Sequence, residues 1–154
     1  MFENVSSTES IEKLSKLAFD IWFEYYENIL SKEQIAYMLD KYLSVDAIKG
    51  EYSHLTYMMI KDQEDIGFFA YEMKDDIFLS KLYIIKHYRQ KGYGKKVLSF
   101  LKKNDKPITL TVNKHNDDAI RFYEKHGFII IDEVKTDIGH GYVMDDYILR
   151  WKHV

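Results

Sequence analysis

The sequence predicts a mixed α/β domain in which a mostly antiparallel sheet is flanked by helices. Three observations predict it. The first third carries apolar residues at 3-and-4 spacing, short β-prone runs begin at Leu55, and one strand–glycine loop–helix–strand passage lies among those runs. Such a passage requires a crossover, and therefore one parallel step in an otherwise antiparallel sheet. The 154 residues suit one domain of this kind, residues 1–154, without repeat or linker.

Over residues 8–30, Ile11, Leu14, Ala18, Ile21, Trp22, Tyr25 and Ile29 share one helical face. Ser31 reads as the N-cap of a second helix carrying Ile35, Met38, Leu39, Tyr42 and Leu43, and Gly50 stops a short continuation. Residues 55–60 and 66–71 read as a hairpin joined by the polar stretch 61–65. Residues 77–85 follow as a longer, central strand. A basic glycine loop leads into a helix over 93–103, with Val97, Leu98 and Leu101 inward. Pro107 then introduces a strand over 108–112. Residues 116–125 are helical and stop at Gly127, where a left-handed residue is wanted. Strands over 128–134 and 142–151, joined by a loop with Gly139 and Gly141, complete the pattern.

Apolar residues at 46%, aromatics at 16% and a single proline exclude a disordered chain. The absence of cysteine excludes a disulfide scaffold, a thiolate metal site and a cysteine nucleophile. A net charge of -3 provides no field to hold a nucleic acid against salt. No apolar run reaches the ~20 residues of a membrane span, and the N-terminus lacks the order of a signal peptide. The expected location is the cytoplasm, as a monomer or homodimer with no nucleic-acid or membrane partner. His54, His87, His115, His126, His140 and His153 show no metal-ligand spacing, so no metal is expected.

Chemistry-bearing residues gather in LYIIKHYRQKGYGKK, residues 82–96. Two glycines let backbone N–H groups approach an oxyanion, the new helix adds its positive end, and Arg89, Lys91, Lys95 and Lys96 supply charge. A diphosphate suits this cradle. The GxxxxGK[ST] loop is absent and GxGxxG fails at Val97, which disfavours nucleotide hydrolysis and nicotinamide chemistry. Taken alone, the segment also reads as a solvated basic turn.

Together with NKHNDDAIRFYEKHGF at residues 113–128, the loop resembles the GCN5-related N-acetyltransferase (GNAT) superfamily, most strongly over residues 79–128. The layout is also reminiscent of bacterial polyamine-type acetyltransferases. The resemblance implies a GNAT-like mixed sheet and acetyl-CoA as co-substrate. Backbone groups near Tyr83, Ile84 and Ile85, on a strand splayed from its neighbour, are then expected to bond the pantetheine arm. Arg89, Gln90, Lys91, Gly92, Tyr93 and Gly94, with Lys95 beside them, match the pyrophosphate loop. Asn116 matches a pantetheine contact, and Tyr123 the tyrosine that protonates the departing thiolate. A tyrosine of pKa ~10 is protonated at neutral pH, and its transfer to the thiolate is expected to run downhill. Without the resemblance, Tyr123 reads as a core aromatic and Asn116 as a helix N-cap.

Transfer needs a neutral amine, and one with pKa ~10.4 is neutral about once in 2,500 molecules at pH 7, a shortfall of roughly 4.6 kcal/mol. Many family members place a glutamate near the start of the fourth strand; here Leu79-Ser80-Lys81 leaves the base unassigned. A water chain ending on Glu72 or on a closing-strand aspartate is the expected substitute. Asp145 and Asp146 put one carboxylate on each face of the last strand, to serve an acceptor cleft or merely to protect an edge. Glu24, Tyr25 and Tyr26 form an acidic, aromatic cluster on a helix that the resemblance sets beside the acceptor. Glu24, Tyr26, Glu72, Asp145 and Asp146 are thus the expected acceptor site, for a small cationic amine such as a polyamine. Transfer to a protein N-terminus or lysine, and a silent acyl-CoA sensor, remain alternatives.

Overall fold

Serines open the first helices: Ser7 accepts from the Ser10 backbone N–H at 3.1 Å and Ser31 from that of Gln34 at 3.1 Å. The computed structural model describes residues 1–152, and His153 lies outside them. In chain order the elements are β1 (Phe2–Asn4), α1 (Thr8–Tyr25), α2 (Lys32–Leu43), α3 (Val45–Gly50), β2 (Thr56–Asp62), β3 (Glu64–Met73) and β4 (Ile77–Ile84). There follow α4 (Tyr93–Lys102), β5 (Ile108–Asn113), α5 (Asp117–Lys125), β6 (Ile129–Gly139) and β7 (Tyr142–Trp151). The strands form one sheet in the order β1-β2-β3-β4-β5-β7-β6, antiparallel except for the β4–β5 step that the crossover through α4 demands.

Adjacent residues of β3 show how the two cores arise. Phe68 packs with Leu14, Ile35 and Met38 under α1 and α2, whereas Phe69 packs with Val97, Leu98 and Leu101 under α4. Each such buried side chain contributes about 1.5–3 kcal/mol. No helix among the described residues is long and apolar enough to cross a membrane.

Four expectations shift. The first helix ends at Tyr25, and a turn closed by Ile29 N–H on the Tyr26 carbonyl keeps Ile29 against the same core, so the apolar spacing outlasts the helix. β1 is too short and polar to show in sequence, and it pairs with β2 from Phe2↔Ile60 to Asn4↔Met58. The expected five-residue hairpin loop is itself strand, turning only at Gln63 (φ 67), because Lys61 bonds Asp65 at 3.5 Å and Glu3 at 3.2 Å. β6 continues beyond residue 134 to Gly139, where His140 and Gly141 (φ 52 and 79) make a two-residue turn. As an edge strand exposed along most of its length, β6 lacks the apolar alternation that marks a half-buried one.

Candidate active site

β4 contains a bulge. Tyr71 faces Leu79 and Ala70 faces Lys81, so Ser80 is the extra residue. Before it, Ile77 and Leu79 enter the core beneath α4; after it, Tyr83 joins the aromatic rings of α1 and Lys81 lies over Tyr57. Pairing with β5 is confined to Ile77↔Ile108 and Phe78↔Thr109, just short of the bulge. Beyond Phe78 the two parallel strands part. The gap leaves the β5-facing backbone of β4 without a strand partner, and it opens into a cleft of about 310 Å³. Leu79 to Tyr83 form one wall and Leu110 to Asn113 the other, with Asn116 and Tyr123 of α5 at one side.

The C-terminal end of α1 closes over this gap with aromatic rings. Tyr83 lies 5.3 Å from both Trp22 and Tyr25, centroid to centroid, and its hydroxyl is 2.9 Å from that of Tyr26. Desolvation raises the pKa of both Tyr83 and Tyr26 above the ordinary tyrosine value. Tyr123 is also buried, and its hydroxyl makes no hydrogen bond among the described residues. Desolvation, then the fields of Tyr25 and Tyr83, raise its pKa as well. The expectation of a downhill proton transfer is corrected on this point. A thiol has a pKa of ~8.5, so a tyrosine of ~10 already donates uphill to a formed thiolate, and burial steepens that slope. What Tyr123 offers is a protonated hydroxyl, and hence a hydrogen bond.

Asn116 spends both of its polar atoms on the protein. Its Oδ1 accepts from the Ala119 backbone N–H at 3.2 Å as the N-cap of α5, and its Nδ2 donates to the Tyr25 hydroxyl at 2.7 Å. Arg89 folds beneath the glycine loop: Nε donates to the Ile84 carbonyl at 2.8 Å, and the guanidinium stacks 4.9 Å from the centroid of Tyr25. Glu24 serves the same loop, accepting from the Lys86 N–H at 3.2 Å and from Arg89 at 3.4 Å, and it does not line the cleft. Gln90 and Gly92 turn the loop at φ 62 and 91, and Gly92 directly precedes α4. Lys91, Lys95 and Lys96 are exposed around that helix start. Tyr93 is tied to Asp62, while a Cβ on Gly94 would lie 2.8 Å from the Phe122 ring, so that glycine lets α4 approach α5.

The paired aspartates separate as strand geometry requires. Asp145 bonds Lys114 at 3.1 Å, whereas Asp146 is only 5% exposed and lines the cleft with its Oδ1 unpartnered. Desolvation, with Asp145 adding its charge, pushes the Asp146 carboxyl up to about 6. Glu72 is held by Lys74 at 2.8 Å, away from the cleft. Lys81, 3.6 Å from Glu51 and 5.4 Å from the Tyr57 ring centroid, has its pKa lowered by desolvation against the pull of Glu51. The site therefore contains Tyr26, Tyr83, Asn116, Tyr123 and Asp146 of the expected residues, with Arg89 and Glu24 behind it. Sequence reasoning missed the bulge at Ser80, although Lys81 falling where the Ile77–Leu79 alternation calls for an apolar residue was its signal. It also missed the outer wall, where Gln34 and Met38 of α2 face Thr136, Ile138 and Met144 of the β6–β7 hairpin.

A family model described as "Acetyltransferase (GNAT) domain" matches residues 53–130, just over half of the chain. An uncharacterized N-acetyltransferase of Staphylococcus epidermidis is 36% identical over 66 residues, 43% of this chain and 42% of that one, so the match spans less than half the length of that relative. Among solved structures, PaiA N-acetyltransferase from Thermoplasma acidophilum, in complex with coenzyme A, superposes with a TM-score of 0.78 at 25% identity, covering 99% of both chains. YjaB from Escherichia coli, in apo form, shares the fold with a TM-score of 0.74 at 20% identity over 100% of this chain and 98% of its own. On the family match and the parted β4–β5 sheet together, this chain belongs to the GNAT acetyltransferase family.

Proposed function

We propose that the protein transfers an acetyl group from acetyl-CoA directly to the primary amine of a small cationic acceptor. The observation that carries this reading is that one cleft joins the unpaired edge of β4, near Tyr123, to the buried carboxylate of Asp146. The chain fits coenzyme A on its own terms. Backbone groups of β4 freed from β5 suit the amides of a pantetheine arm, and the lysine-rich start of α4 suits a pyrophosphate. The coenzyme A complex of the Thermoplasma relative supports the same assignment.

Bound acetyl-CoA supplies the acetyl group as a thioester and leaves as the thiol. Asp146, a carboxylate above its pKa of about 6, attracts the incoming ammonium; because that pairing also favours the charged amine, the ammonium's proton passes to solvent before attack. Desolvation of the kind that lowers Lys81 acts on the amine too, favouring the neutral nucleophile. The neutral nitrogen attacks the carbonyl carbon; the C–N bond forms, the C–S bond breaks, and one nitrogen proton is released for the thiolate. Tyr123 donates a hydrogen bond to the sulfur as its charge develops. Polyamines belong to this acceptor class, although only Asp146 of the four acidic residues expected at the site lines the cleft.

Thiol release from acetyl-CoA against a panel of amines and peptides tests the reading, with acetyl-CoA binding followed by calorimetry. Turnover with a small amine, reduced in Tyr123→Phe and Asp146→Asn, is expected. Binding without turnover on any acceptor would replace the enzyme by an acyl-CoA sensor, and no binding would end both readings.

A further inference from the structure

Resting on the N-acetyltransferase reading, we propose that the acceptor is a small amine with one positive charge on an apolar body, and that the cleft selects against a second cationic group. Its outer half is the slot between α2 and the β6–β7 hairpin. Along the strands from Asp146, the hairpin presents Met144, Thr136 and the buried Ile138, and α2 opposes them with Gln34, the buried Met38 and Tyr42. From Val134, which pairs with Asp146, to Ile138 is four residues, or about 13 Å of strand. Along that length no carboxylate follows Asp146, the one acidic residue among those lining the cleft.

Beside this slot, just outside the cleft lining, charge has the opposite sign. Lys41 donates to the Ile138 carbonyl at 2.6 Å, beside the Tyr37 and Tyr42 rings, and no carboxylate lies within ion-pair distance of it among the described residues. Asp137 and Val143 pair across the hairpin outside the cleft lining, and the carboxylate of Asp137 accepts from the Gly139 N–H at 2.8 Å. A polyamine anchored at Asp146 would set its second ammonium among Met38, Met144 and Ile138, or against Lys41. An ammonium desolvated without a partner is strongly disfavoured, whereas an alkyl or aromatic body gains from the same walls.

n-Hexylamine and 1,6-diaminohexane share a chain length and differ by the second charge. The kcat/KM for the monoamine is expected to exceed that for the diamine by about tenfold or more, with spermidine no better than the diamine. Equal or better use of the diamine or spermidine would overturn the charge selection and leave the acetyltransferase reading standing. Failure of every amine to release thiol from acetyl-CoA would overturn that reading, and this inference with it.

A designed reversal gives a second readout. Thr136 is exposed at the slot, two residues from Val134, and pairs with Met144. Thr136→Glu therefore supplies the missing carboxylate, about 7 Å further out than Asp146. The diamine-to-monoamine ratio is expected to rise at least tenfold, and Met144→Glu to act likewise if it folds. An unchanged ratio in a folded Thr136→Glu protein would overturn the inference.

Discussion

The side-chain amide of Asn116 donates to the hydroxyl of Tyr25 at 2.7 Å, so one hydrogen bond ties the start of α5 to the end of α1 across the cleft. Because Oδ1 of the same residue caps α5, Asn116→Ala removes both the cap and the tie, at a cost of about 1–3 kcal/mol. Asn116→Asp keeps the cap acceptor and loses only the donor. Thermal melts are expected to rank wild type above Asn116→Asp and that above Asn116→Ala. Equal stability of the alanine variant and wild type would show that neither bond contributes.

Tyr123 has a hydroxyl free to donate and a pKa raised by burial, which suits the proposed part of hydrogen bonding to a developing charge. Tyr123→Phe is expected to lower kcat about 10- to 100-fold while the KM for acetyl-CoA changes less than about twofold, since the interaction grows only as the C–S bond breaks. Steady-state thiol release separates the two constants. A raised KM at unchanged kcat would return Tyr123 to the role of a core aromatic.

Asp146, proposed to hold the acceptor amine, makes stability depend on pH. Its folded-state pKa of about 6 lies above the ordinary aspartate value of 3.8, so the fold favours the neutral carboxyl. The associated stability is full below the unfolded value and is lost as pH rises through about 6; ionised Asp146 then costs on the order of 2–3 kcal/mol. Asp146→Asn cannot ionise. It is expected to melt close to wild type at pH 4 and roughly 5–10 °C higher at pH 8. The same variant should lose about 100-fold or more in kcat/KM for the amine. It should also lose the acidic limb near 6, keeping only the rise from the amine's own ionisation. Tyr26, Tyr83 and Asp145 are the titratable groups coupled to this carboxyl, and the two tyrosines stay neutral throughout that range. A Tm difference independent of pH would contradict the assignment.

The turn and helix starts beside the candidate site were legible in sequence. Gly92 and Gly94 beside basic residues, and Asn116 before an acidic first turn, are residue types that a loop and a helix start each require. The cleft wall between α2 and the β6–β7 hairpin was not, because Met38, Thr136 and Ile138 carry no chemistry that separates a cleft lining from ordinary core or surface. Glu24 was misplaced for another reason: its partners Lys86 and Arg89 lie 62 and 65 residues away, and local pattern does not encode which exposed carboxylate will find a distant loop. Asp145 and Asp146 fall between these cases. Strand alternation guaranteed opposite faces, and only the fold decided which face was the cleft.

Gly67 governs how closely β3 and β4 approach at the outer end of the gap. It pairs with Ile84, and a Cβ there would lie 2.5 Å from the Tyr83 carbonyl oxygen and 3.1 Å from the Ile84 Cα. Those are backbone atoms, so a methyl group at this position moves β4 itself, together with the Ile84 carbonyl that anchors Arg89. Gly67→Ala is expected to destabilise the fold by about 1–3 kcal/mol. The displaced strand is the one whose free backbone suits the pantetheine arm, so the KM for acetyl-CoA should rise at least fivefold, whereas the preference among amines, set on the far side of the cleft, should stay as it was. Calorimetric titration with coenzyme A and an amine panel read on the same protein check both halves. An altered amine preference with unchanged coenzyme A affinity would place the cofactor elsewhere than along β4.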